Sequence, residues 1–175
     1  MRKAIFLDRD GVLNKSLIEN GKPKAPKKKL DLELLPKVPE ALAMLRSHNF
    51  ELVVITNQPD LANGSISEKD LTEIHDVIKL HTKLENFYVC PHSDADNCEC
   101  RKPKTGLILS AIADLNLSIN GSFLVGDRWR DIQAGQSVGL TCFYIDYSYA
   151  EEKPRPPFIE VASLMDATKI ILKEM

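Results

Sequence analysis

Ala4-Ile5-Phe6-Leu7-Asp8-Arg9-Asp10-Gly11-Val12-Leu13-Asn14 runs an apolar stretch straight into an acidic turn. Continuous apolar residues without polar alternation suit a strand covered on both faces. Asp8 then stands at the carboxyl end of that strand, with Asp10 two residues on. Two carboxylates so placed can serve one metal and one reacting centre together. One can attack phosphorus and form an acyl phosphate, dividing a hard displacement into two easier ones. The other can protonate a leaving alcohol and later deprotonate water. A strand followed by an acidic turn with no chemistry is the plain alternative.

Working outward, further strands are expected at 52–55, 87–89, 123–125 and 142–145. Amphipathic stretches at 39–46, 67–80, 107–115, 129–138 and 162–173 lie between or after them and predict helices. Pro39 suits a first helical turn, Ser67-x-x-Asp70 resembles a capping box, and Gly139 suits a helix end. Strands alternating with helices predict an α/β fold, a Rossmann-like three-layer sandwich around a central parallel sheet. Ligands of such sheets bind beyond the carboxyl ends of the strands. Segments 15–30 and 151–157 are expected to be loops, and there is no internal repeat. One domain over 1–175 is expected, with no separate cap.

Other strand ends also carry chemistry. Thr56 and Asn57, in Thr56-Asn57-Gln58, offer a hydroxyl and backbone N–H groups to a phosphate oxygen. Arg101-Lys102-Pro103 supplies a forked and a compact cation, although a basic pair is more often a solvated surface. Gly126-Asp127-Arg128-Trp129-Arg130-Asp131 sets two carboxylates four residues apart where a helix begins. Such oxygens suit Mg²⁺, which takes few protein ligands, and also suit the positive helix dipole.

Cys90-Pro91-His92 and Cys98-Glu99-Cys100 bring three thiols and an imidazole into a short loop, about 90–100. Cys90, His92, Cys98 and Cys100 complete a tetrahedral Zn²⁺ set, leaving no open position, so the zinc is expected to be structural. His48, His75 and His81 are expected to be surface or packing residues. Cys142 is expected to be a buried apolar thiol, and Trp129 a packing residue.

The chain has 175 residues, a net charge of −2, 43% hydrophobic and 27% charged residues, as ordinary soluble domains do. These values give no reason to expect a nucleic-acid or membrane partner. The short apolar start, interrupted by Asp8, is no secretory segment, and a cytoplasmic protein is expected. A monomer accommodates everything above.

Together these motifs, from Asp8 to about Asp146, resemble the haloacid dehalogenase (HAD) superfamily of phosphohydrolases. The resemblance implies Asp8 as nucleophile and Asp10 as general acid and base. It implies Thr56 as a phosphate-binding residue and Lys102 as the lysine that steadies the phosphoryl charge. Magnesium would be held by Asp8, Asp127 and the backbone carbonyl of Asp10, with Asp131 supporting from behind. The zinc-loop run through Arg101-Lys102-Pro103 resembles the heptose-bisphosphate phosphatases and the related histidinol-phosphate phosphatases of that superfamily.

The expected substrate is a small phosphorylated sugar, foremost a heptose 1,7-bisphosphate losing its 7-phosphate. Only 45 residues separate Asp10 from Thr56, too few for a cap domain beside the expected elements. Lys22, Lys24 and the run Lys27-Lys28-Lys29, with Arg101 and Arg128, could hold a second phosphate. Histidinol phosphate, with its cationic amine, would call for acids there. The first loop matches neither pattern cleanly, and Asn63 stands where a basic residue would be expected. Dephosphorylation of a nucleic-acid 3′ end is disfavoured by the charge balance. A non-catalytic zinc-stabilised module would lack a motif residue, whereas all are present.

Overall fold

In the computed structural model, residues 1–173 are described; Glu174 and Met175, the end of the expected 1–175 unit, lie outside that description. The opening apolar run is the buried part of β1 (Arg2–Leu7). A small hairpin follows, β2 (Leu17–Glu19) and β3 (Lys22–Lys24), and then α1 (Val38–Ser47). β4 (Glu51–Asn57), α2 (Glu68–Thr82), β5 (Asn86–Cys90), α3 (Gly106–Leu115) and β6 (Leu117–Gly126) alternate through the middle. α4 (Trp129–Ser137), β7 (Thr141–Ile145), β8 (Ile159–Val161) and α5 (Leu164–Lys173) complete the chain.

Six strands form one parallel sheet in the order β5-β4-β1-β6-β7-β8. Connections leave β1 in one direction and β6 in the other, so the topological switch point lies between these neighbours. Side chains alternate between two buried faces. Ile5, Leu7, Val54, Phe143 and Ile145 pack with Leu42 and Leu45 of α1, Ile74 and Ile78 of α2, and Ile171 of α5. Ala4, Phe6, Val53, Ile55 and Leu124 pack with Ile108 and Ala111 of α3 and with Ile132 of α4. Both faces of each central strand are therefore apolar, which is why the strands read as continuous runs.

Local signals set the helix ends. Ser67 accepts a hydrogen bond from the Asp70 N–H at 3.1 Å and caps α2. Between β1 and β4 the described residues hold only the hairpin, a short 3₁₀ turn and α1, so no cap domain covers the sheet's carboxyl edge.

The structure corrects some expectations. Segment 15–30 is not all loop, because Asn20 and Gly21 both adopt positive φ (52° and 73°) and turn the β2–β3 hairpin. Asn-Gly is the preferred pair for that geometry. β6 begins at Leu117 rather than 123, and β8 adds an edge strand after the Pro-rich segment. α5 begins at Leu164, two residues later than expected.

Candidate active site

β1 and β6 run in register, Leu7 beside Val125, and the Asp8 N–H donates to the Val125 carbonyl at 3.0 Å. This pairing fixes Asp8 beside the turn that carries Asp127. Asp8, Asp127 and Asp131 are all buried, with carboxylate oxygens within 4.8 Å of one another. Lys102 reaches in from the loop after β5. Its Nζ donates to Asp8 Oδ1 at 2.9 Å and to the Ile55 carbonyl at 2.7 Å, and pairs with Asp131 Oδ1 at 2.6 Å.

The free oxygens define where a cation fits. Asp131 is engaged through both: Oδ1 by Lys102 and Oδ2 by the Arg128 N–H at 3.0 Å. Asp127 Oδ2 accepts from the Tyr149 hydroxyl at 2.7 Å, while its buried Oδ1 has no partner. Three carboxylates against one lysine, 3 − 1, leave two negative charges without a cationic side chain in direct contact at a buried site. Buried like charges are costly, so the residues present fit a divalent cation with hard oxygen ligands. The same physics shifts the acids. Burial and then the Asp131 charge push Asp8 up to about 6, against the pull of Lys102. Burial, followed by Asp8 and Asp131, holds Asp127 well above the usual carboxylate range. Burial alone would lower the Lys102 ammonium, but Asp131 and Asp8 outweigh it and raise it.

Gly11 shows how tightly the turn is drawn. A Cβ built there would lie 1.9 Å from Asp127 Oδ2, and its φ of +86° already disfavours any side chain.

Asp10 sits in a ring of donors. Arg9 Nη2 donates to both carboxylate oxygens at 3.0 Å, Asn14 Nδ2 to Oδ1 at 2.9 Å and Gln58 Nε2 to Oδ2 at 2.8 Å. Thr56 is buried at the end of β4; its Oγ1 accepts from Gln58 Nε2 at 2.9 Å. It is not a wall residue of the adjoining cavity. The Asn57 amide clamps the Lys102 backbone, donating to its carbonyl and accepting from its N–H, each at 3.1 Å.

A cavity of about 220 Å³ opens beside Asp8, Asp10 and Asp127. Lys22 and Lys24 line it from β3, and Arg101, Arg128 and Arg130 from the loops after β5 and β6. Arg101 and Arg130 both bond Asp94, at 2.8 and 2.9 Å, and Arg128 forks onto Glu151. Lys22 has no carboxylate partner among the described residues. The neighbouring run divides: Lys28 and Lys29 pair with Asp70 and Glu73 of α2, away from the cavity wall. Trp129 lies against the Arg130 guanidinium, 4.8 Å from its ring centroid, as a packing residue would.

The sulfur and nitrogen atoms of Cys90, His92, Cys98 and Cys100 also converge within 4.8 Å. The sulfurs of Cys90, Cys98 and Cys100 are 3.1 to 3.6 Å apart, and His92 Nδ1 is 3.3 Å from Cys100 Sγ. These separations exceed the ~2 Å of a disulfide. They approach the edge of ~3.8 Å that a zinc tetrahedron with thiolate bonds of about 2.3 Å requires. The donor set thus fits zinc. Arg101 Nη1 donates to the His92 carbonyl at 3.1 Å, which ties this loop to the cavity wall.

Sequence reasoning missed several members of the site. Asn14 and Gln58 lay inside the quoted motifs and could have been found there. Arg9 reads as a surface residue by type, and His75 is buried against it rather than merely packed or exposed. Tyr149 and Glu151 belong to a loop without local signal.

A parallel sheet of this strand order, with an acidic centre beside its switch point and no separate cap, defines the class: a three-layer α/β hydrolase. Residues 9–145 match the family described as haloacid dehalogenase-like hydrolase. A relative from Pasteurella multocida (strain Pm70), D-glycero-beta-D-manno-heptose-1,7-bisphosphate 7-phosphatase, is 39% identical over 80% of this chain and 79% of its own length. D-glycero-alpha-D-manno-heptose-1,7-bisphosphate 7-phosphatase from Campylobacter jejuni is 36% identical over 79% of this chain and 78% of its own. The crystal structure of D,D-heptose 1,7-bisphosphate phosphatase from B. bronchiseptica, complexed with magnesium and phosphate, has a TM-score of 0.86 at 27% identity, covering 99% of each chain. The chain belongs to the haloacid dehalogenase-like hydrolases, and within them it is a phosphatase.

Proposed function

We propose that this phosphatase acts on a small sugar bearing two phosphates, with heptose 1,7-bisphosphate losing its 7-phosphate as the best-supported substrate. The observation that carries this is the cavity. It joins the Asp8–Lys102–Asp127 centre to a wall of five further cations, Lys22, Lys24, Arg101, Arg128 and Arg130. Beyond Asp8, Asp10, Asp127 and Asp131, Asp60 is the one carboxylate in that wall among the described residues. Such a wall suits a second dianion and disfavours the amine of histidinol phosphate. The relatives named above support the same choice. A non-catalytic zinc module is excluded by membership of an enzyme family.

Asp8 is the nucleophile in this reading. Its carboxylate attacks phosphorus, the ester P–O bond breaks, and Asp10 gives a proton to the departing oxygen. Water then attacks the aspartyl phosphate, Asp10 takes its proton, and inorganic phosphate leaves with Asp8 restored. Lys102 holds Asp8 in place and opposes charge on the transferring group. Thr56 stands behind the cavity wall with a hydroxyl hydrogen that Gln58 leaves free, and would meet a phosphate oxygen only where the substrate reaches the end of β4. Arg101 and Arg128 meet the phosphate that does not react, and Asn57 sets the Lys102 backbone. Asp8, Asp127 and the Asp10 carbonyl would hold magnesium, which when bound neutralises phosphate charge. Cys90, His92, Cys98 and Cys100 would hold a structural zinc. We read the chain as one catalytic domain with loop 90–100 inserted. Among the described residues no helix is long and apolar enough to cross a membrane. The free thiols support a reducing, cytoplasmic setting.

The test is kcat/KM for heptose 1,7-bisphosphate, a monophosphorylated heptose and histidinol phosphate at one Mg²⁺ concentration. A preference for the bisphosphate of about ten-fold or more is expected, worth about 1.4 kcal/mol of transition-state binding. Preference for histidinol phosphate, or none for the bisphosphate, removes the substrate assignment.

A further inference from the structure

Arg9 is the largest fully buried side chain among the described residues. A buried guanidinium carries five N–H donors and one charge, all needing partners. The charge meets Asp10, which Nε reaches at 3.2 Å and Nη2 at 3.0 Å. On its other side Nη1 lies 3.1 Å from Nε2 of His75, a residue of α2 that is 66 positions from Arg9 in sequence and absent from the cavity wall. Guanidinium has no acceptor, so this contact is a hydrogen bond only if His75 Nε2 presents its lone pair. His75 must therefore be neutral, with its proton on Nδ1. Burial, followed by the Arg9 charge, lowers His75 to about 3 and agrees with that state. The imidazole packs at a tilt on Phe87 of β5, with centroids 4.7 Å apart and planes at 34°.

We propose that His75 is a positioning residue for the acid–base step: it orients Arg9, and Arg9 orients the Asp10 carboxylate. The proposal rests on the reading of Asp10 as acid and base. Three groups fork or point onto that carboxylate: Arg9, Asn14 and Gln58. Only the Arg9 arm is itself anchored by a neutral ring from another element. Without the imidazole acceptor, one buried N–H of Arg9 loses its partner, and the fork is free to turn toward another acceptor. Asp10 would then be misplaced for proton transfer while Asp8, Lys102 and Asp127 stay where they are.

Leaving-group dependence separates this role from mere packing. A nitrophenolate leaves without a proton, whereas an alkoxide needs one, so loss of a well-placed acid falls on kcat/KM for alkyl phosphates. His75→Phe keeps an aromatic ring against Phe87 and removes the acceptor. It is expected to lower kcat/KM about ten-fold or more on an alkyl phosphate and less than about three-fold on p-nitrophenyl phosphate. His75→Gln returns an acceptor near Nε2 and should restore most of the loss. In an Asp10→Asn background, His75→Phe should add little, because the two act as one unit. Equal losses on both substrates, or no rescue by Gln, overturn the proposal. If Asp10→Asn is fully active, the acid–base reading of Asp10 itself falls. If Asp10→Asn is inactive and His75→Phe matches the parent protein, only the role of His75 falls. Should the Phe variant not fold, imidazole ¹⁵N–¹H correlation spectra of the unaltered protein decide the contact. An Nδ1–H tautomer at His75 is expected, and an Nε2–H tautomer overturns it.

Discussion

The thiol cluster and the acidic centre each gather ligand atoms within 4.8 Å, but they are assembled in opposite ways. Cys90 through Cys100 come from one short loop at the end of β5. Asp8 and Asp127 are 127 − 8 = 119 residues apart and meet only because β1 and β6 are neighbours. The thiol cluster brings four ligand atoms together, enough for a tetrahedral ion without any other group. The acidic centre keeps open oxygens and excess charge, and is positioned by the sheet and by Lys102. A site set by a sheet should survive loss of its ion. A site whose four ligands all belong to one loop takes more of its stability from the ion itself, beyond the ties of Arg101 and Arg130 to Asp94.

The strongest attempt to break that contrast is Asp8→Asn. It preserves shape and removes the attacking charge, and turnover should fall on the order of a thousand-fold or more. The fold should hold, since Lys102 keeps Asp131 as its counterion. Near-normal turnover would end the nucleophile assignment, and collapse of the fold would end the contrast.

Cys98→Ser tests the other side. Zinc content should drop sharply, and loss of several kcal/mol of metal-linked stability should lower Tm by on the order of 10 °C. Per folded molecule at low temperature, turnover should stay within about ten-fold of the parent, because no zinc ligand touches the reacting groups. Metal analysis that finds no zinc in the parent protein would remove the site.

How much of each region was legible follows from the same difference. The thiol cluster is local, so its four residues could be picked out from spacing alone. Asp8, Lys102 and Asp127 were legible because continuous apolar runs announced strands, and chemistry in such sheets gathers at strand ends. What stayed hidden depends on long-range packing. Arg9 is a charged residue that the fold buries, which happens only when its partners Asp10 and His75 are assembled. Tyr149, which bonds Asp127, comes from a loop with no periodicity to announce it. β8 is three residues long and follows prolines, so no pattern could accumulate. The β2–β3 hairpin is a different case: Asn20-Gly21 was in plain view.

Gly11→Ala probes how closely the acidic centre is drawn. The new Cβ would fall 1.9 Å from Asp127 Oδ2 at a φ of +86°, so both the turn and the carboxylate must move. Strain of about 1–3 kcal/mol is expected, together with a rise of about ten-fold in the Mg²⁺ concentration needed for half-maximal activity. The zinc content should not change. Unaltered magnesium dependence would show that Asp127 does not hold the ion.

The smallest effect expected is in the response to acid, and its sign separates the supports of the acidic centre from the ions at both sites. His75 is lowered from 6.5 to about 3 by burial and then by Arg9, with Lys79 adding to the lowering and Asp10 opposing it. Above pH ~6.5 the ring is neutral in both folded and unfolded chains, and its contribution is fully present. As pH falls from there toward ~3, the unfolded chain takes up a proton that the folded chain refuses, so stability is lost. From pH ~7 to ~5 this costs about 2 kcal/mol. Asp8, raised to about 6, acts in the opposite sense, since the folded metal-free protein holds a proton that the unfolded chain has released. That effect, and acid release of zinc, are common to the parent protein and to His75→Gln, and they cancel in the difference between them. Denaturant unfolding of both proteins at several pH values should therefore show His75→Gln gaining about 2 kcal/mol on the parent between pH ~7 and ~5. Parallel curves would mean that His75 titrates alike in the folded and unfolded chains, and a gain by the parent toward low pH would mean a charged ring in the fold; either outcome would remove the neutral support of Arg9.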